Sequence, residues 1–160
     1  MHELDVYLQQ HWAAAAGGLD LARRVAASHA GSDVGADLAT VAEEIADDRV
    51  ALRELMLRLD LDPGTVVPAV VRLAERIGRL KPNGRLLRRS PVSDVLELEA
   101  MRAGVSGKRA GWDALLALAE DVEALPGDEL QRLRTRADDQ LERLAAVHAA
   151  LVVRSLAPTT

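Results

Sequence analysis

Apolar residues recur along this chain in steps of three and four, the period of a helix with one buried face. The clearest row is Val34, Leu38, Val41, Ile45, Asp48, Leu52, Leu55, Leu59, which alternates its steps without a slip. It predicts a helix from about Val34 to Asp60. An earlier row, Leu4, Leu8, His11, Ala15, Leu19, Ala22, Ala26, predicts a helix from about Glu3 to His29. The row Leu98, Met101, Val105, Lys108, Trp112, Leu115, Ala119 belongs to a helix running to about Leu125, with Ser90 as cap and Pro91 at its first position. The last row, Leu130, Leu133, Ala137, Leu141, Leu144, His148, Leu151, carries a helix to about Leu156. Val67, Val70, Val71, Ala74 and Ile77 mark a shorter helix over about Val66–Leu80.

The punctuation between these rows sets the topology. Gly31 suits a left-handed helix end, after which Ser32 or Asp33 can cap the next helix. "DPGT" at Asp62–Thr65 stops the second helix. Asp128 and Gln131 have capping-box spacing before the last helix, and the terminal "APTT" reads as a frayed tail. Two tight connections make two antiparallel hairpins, and the crossover segment, about 61–90, is long enough to travel the length of the bundle. The expected fold is all-α: one domain over residues 1–160, a ferritin-like four-helix bundle with a short extra helix in the crossover, with an up-down bundle carrying a decorated loop as the competing topology.

Composition agrees. Hydrophobic residues make up 49% of the 160 residues and aromatics only 2%, Tyr7, Trp12 and Trp112. So few aromatics leave little from which to build sheets. Without cysteine there is no disulfide, thiolate metal site or thiol nucleophile. The opening "MHELDVYLQQ" has neither a basic region nor an apolar run, so no signal peptide is expected, and a cytoplasmic protein is.

Charge divides the chain. Arg72–Arg89 holds seven basic residues and one acid, Glu75; its +6 leaves −11 on the rest, given a total of −5. Arg79, Lys81, Arg85, Arg88 and Arg89 are therefore candidate anion-binding residues, for phosphate-rich partners or for peripheral contact with an acidic membrane surface. Without interleaved aromatics or a nucleic-acid motif the segment is not expected to bind nucleic acid. Arginines reaching from a surface helix to the acidic bundle are the simpler account.

The stretch Gly78–Leu115 carries "GRLK", "NGRLL", "SP" followed by "ELE", and "GVSGK" followed by Trp112; "YLQQH" and "LARR" lie upstream. In these pieces the chain resembles a family of uncharacterised actinobacterial proteins with a ferritin-like helical bundle. The resemblance implies the fold and brings no activity with it. Wider ferritin-like metal proteins use a glutamate on each of two helices and Glu-x-x-His on the other two. Here Glu44 is followed three residues on by Asp47, and Glu142 by Ala145, so neither motif is complete.

Four polar residues nonetheless sit on apolar rows: His11, Asp48, Lys108 and His148. Heights counted at 1.5 Å per residue from an end shared by Glu3, Asp60, Pro91 and Ala157 place His11, Glu99 and His148 about 12–13 Å up. Asp48 comes about 18 Å up and Lys108 near 25 Å, outside the group. His11, Asp48, Glu99 and His148 are thus a candidate Fe, Mn or Zn site. A hydrogen-bonded polar joint, or simple exposure, are the alternatives. Gly104, Gly107 and Gly111 share one face of the third long helix and predict a close approach there, by the crossover or by a second subunit. There is no phosphate-cradling loop, nucleophile elbow or HExxH, so no enzyme class is visible and no catalytic residue or cofactor is expected. The favoured function is non-enzymatic contact with a protein partner or a second copy of the chain, with metal binding and anionic-surface binding as alternatives.

Overall fold

The structure, a computed structural model, describes residues 2–64 and 91–157. Four helices carry them: α1 (His2–Ser28), α2 (Gly35–Arg58), α3 (Pro91–Leu118) and α4 (Gly127–Leu156). No strand occurs among the described residues, and no helix is long and apolar enough to cross a membrane. The short helix expected over Val66–Leu80, the basic residues Arg79, Lys81, Arg85, Arg88 and Arg89, and the Ser90 cap lie outside the described residues.

Pairing follows the connections. α1 packs on α2 and α3 on α4 as hairpins; α1 also lies along α3, and α2 along α4. Contacts fix the directions. Arg24 of α1 pairs with Glu97 at the start of α3, while His11 lies against Gly111 far along it. α1 and α3 are therefore antiparallel, and α2 runs parallel to α3. The α2 exit is pinned beside the start of α1, where the Gln9 amide donates to the Asp62 carbonyl at 2.7 Å. The chain leaves at one end of the bundle and re-enters at the other.

The α2 row is buried along its whole length, Val34 to Leu59, Asp48 included. Three of the predicted helix ends are corrected. At α2 neither Ser32 nor Asp33 caps. Val34 occupies that position without a side-chain bond, the Ser32 hydroxyl donates to the His29 carbonyl, and Asp33 receives Arg154. At α4, Pro126 precedes the first helical residue and Asp128 lies inside the first turn, where its charge favours the positive helix end without a capping bond. α3 stops at Leu118 instead of about Leu125. Glu120, Asp121 and Glu123 would otherwise crowd the negative end of the helix dipole, and the turn that replaces them buries Leu125. Gly31 has the left-handed conformation foreseen for it, φ +81°.

Candidate functional site

The α2 row carries Asp48 into the core because that position follows Ile45 and precedes Leu52 on one face. A lone carboxylate there would be costly. Instead both oxygens are fully engaged, and the side chain is 1% exposed. One oxygen accepts from the Arg136 guanidinium, with the Nε bond at 2.7 Å and a second contact from the same group. The other accepts from the Lys108 ammonium and from the Gln140 amide, the latter at 3.1 Å. Lys108 also donates to the Gln140 carbonyl oxygen. Three helices thus meet in one polar joint. Burial pulls the Lys108 pKa down, with Asp48 opposing the shift.

Of the candidate metal set, the structure brings together Glu99 and His148, 3.1 Å apart and partly exposed. Asp48 is elsewhere, and its roughly four acceptor directions are already filled by protein donors. His11 lies against Gly111 and Tyr7, the two rings 4.6 Å apart and tilted by 57°. No group of three or more His, Cys, Asp or Glu side chains converges among the described residues. The four residues do not share one level because α3 begins and α4 finishes at the end of the bundle opposite to the one expected. That reversal carries Glu99 and His148 away from His11 and brings Lys108, expected outside the group, level with Asp48.

Gln140 is the residue the periodicity missed. The buried row of α4 is Leu130, Leu133, Ala137, Gln140, Leu144, Val147, Leu151, which alternates steps of three and four throughout. Choosing Leu141 and His148 over Gln140 and Val147 follows hydrophobicity for one turn and residue type for another, and breaks the alternation. The unbroken period is the signal that would have found Gln140, which is 0% exposed.

Beside the joint, α1 and α3 part to leave a cavity of about 460 Å³. Its walls are small: Ala14, Ala15 and Gly18 from α1, Ala100, Ala103 and Gly104 from α3. Lys108, Arg49 and Asp48 contribute its charged part, and Tyr7 and His11 also line it. The approach expected at the three glycines was by the crossover, which lies outside the described residues, or by a second subunit; what meets Gly111 is instead the His11 side chain of α1. A Cβ at Gly111 would lie 2.9 Å from the His11 ring, whereas among the described residues nothing comes within 4 Å of one at Gly104 or Gly107. Burial lowers the His11 pKa. The Arg49 guanidinium lies 4.0 Å over the Trp12 ring, its Nε buried without an acceptor. Compared with family models, curated proteins and solved structures, the chain gives no match.

Proposed function

We propose that this chain is a non-enzymatic binding protein, a ferritin-like bundle whose α1–α3 face receives an apolar partner or ligand. The observation that carries the reading is the cavity of about 460 Å³ with its alanine and glycine walls. That volume falls in the range of small-molecule sites, on the order of 300–1,000 Å³. The parallel course of α2 and α3 supports the ferritin-like topology, since the connection between them must run the length of the bundle.

A polarity-sensitive dye such as Nile red tests the reading. Its fluorescence should rise with the protein and fall back in Gly18→Leu and Gly104→Leu, which place side chains where each glycine has open space. Dye fluorescence that never rises, or that is the same in both variants, would overturn the proposal. A second copy seated on this face would appear in sedimentation velocity as a dimer that Ala103→Arg converts to monomer. The non-enzymatic reading also expects Fe, Mn and Zn to leave the melting temperature unchanged. A stoichiometric metal lost in His148→Ala would count against it.

A further inference from the structure

We infer that the α1–α3 cavity takes a long-chain monocarboxylate, with its acyl chain along the alanine and glycine walls and its carboxylate at Lys108 and Arg49. This rests on the reading of that face as a binding surface and adds the chemical class of the ligand.

Charge at one part of the cavity supplies the first argument. Asp48 is the acid there, and it already serves both Lys108 and Arg136. Arg49 adds a third cation and makes no ion pair among the described residues. Neither neighbouring acid of α2 lines the cavity: Asp47 is exposed, and Glu44 pairs through one oxygen with Arg143. At the cavity wall one carboxylate faces two cations and is shared with Arg136 outside the lining, which leaves an excess of positive charge beside an apolar trough that an anion relieves.

Donor accounting supplies the second. An ammonium has three N–H groups. Lys108 directs two of them, to Asp48 and Gln140, and the third has no partner among the described residues. The Arg49 guanidinium lies over the Trp12 ring at the same wall and contributes charge there, its Nε being covered. A donor left unmade beside an apolar cavity is costly, so the third N–H of Lys108 points to an acceptor that arrives with the ligand. The small residues of the wall bear on the remainder of that ligand. Ala14, Ala15, Ala100 and Ala103 offer methyl groups and no hydrogen-bonding side chain, which suits an unbranched hydrocarbon.

The experiment is a calorimetric titration of the full chain with dodecanoate, 1-dodecanol and dodecyltrimethylammonium, each below its micelle threshold. Dodecanoate should bind once per chain, about tenfold or more tighter than the alcohol, the difference expected of one charge-assisted hydrogen bond. The ammonium amphiphile should bind weakest. Arg49→Gln, which leaves the Asp48 joint intact, should cost dodecanoate several-fold in affinity and the alcohol nothing; Lys108→Met should act in the same direction. Gly104→Leu should weaken both. Equal affinity for acid and alcohol would overturn the inference while leaving an apolar binding face. Dodecanoate affinity unchanged in Arg49→Gln and Lys108→Met would overturn it as well. If none of the three binds, because a second copy or residues 65–90 of the chain fill the trough, the inference falls; if Nile red also fails, the underlying reading falls with it.

Discussion

Removing the Asp48 carboxylate would strand the Lys108 ammonium inside the bundle, since Arg136 is a third exposed and can turn to water while Lys108 is more deeply held. Asp48→Ala should therefore cost about 3–5 kcal/mol, read as a lower urea midpoint, as for other broken buried pairs. Asp48→Leu combined with Lys108→Met removes both charges and fills the space, and should cost less than the single alanine. At His11 the coupling is to a glycine. Gly111→Ala should destabilise because its Cβ meets the ring at 2.9 Å, and the cost should shrink in a His11→Ala background. His11 also brings a pH dependence. Burial depresses its pKa, so the folded state binds fewer protons than the unfolded chain below the ordinary histidine value. Its stabilising contribution is complete above about pH 6.5 and declines as the pH falls toward the depressed folded value. Thermal melts from pH 7.5 to 5 should show that loss and show less of it in His11→Gln. Asp48 on the inward face was legible from spacing alone. Its partners were not, because spacing assigns a face and leaves open which opposing side chain reaches it.

The helices themselves obey local rules well enough to be placed from the pattern, and their ends do not. Every residue of the predicted α2 row is buried, though Gly35, Ala42 and Met56 beside it are buried too, whereas the α2 and α4 caps fall at Val34 and Pro126, neither of which makes a side-chain capping bond. Capping depends on a single rotamer, and Arg154 competed successfully for Asp33. The glycines of α3 divide in the same way. Among the described residues Gly104 is exposed with open space around its hypothetical Cβ, so Gly104→Ala should stabilise the helix by about 0.5–1 kcal/mol. In a chain of this size that raises the melting temperature by about 2–4 °C per kcal/mol. Gly35→Ala should do the reverse. Its Cβ would lie 2.5 Å from the His29 carbonyl oxygen, a backbone atom that cannot swing aside. Differential scanning fluorimetry on the two variants distinguishes an exposed glycine from one that the α1–α2 turn requires.

Across the whole molecule the decisive fact is direction. Four rows with correct spacing still give the wrong neighbours if two helices are started from the wrong end, and no feature internal to α3 or α4 reports which end that is. The uneven crossover did report it, since a connection that travels the bundle must deliver α3 to the far end. Counting all four helices from one end contradicted that length. The right direction also exposes the seam between α2 and α4. Their backbones approach less closely than those of the other adjacent pairs. Long side chains bridge the gap: Arg154 to Asp33, Arg143 to Glu44, Arg136 to Asp48, and Arg58 to Glu129. Apart from the buried Asp48, these are solvent-facing pairs, each worth about 0–1 kcal/mol.

A flank tied by such pairs answers to the ionic medium in a way that the hydrocarbon interior does not. The reach of an exposed charge shrinks from about 8 Å in physiological saline to about 3 Å in molar salt. Hydrogen exchange in concentrated sodium chloride should accordingly quicken along the facing surfaces of α2 and α4, while amides buried between α1 and α2 keep their rates. The molecule would then loosen as a book does, its two hairpins for covers, and brine rather than warmth would choose the edge at which it opens.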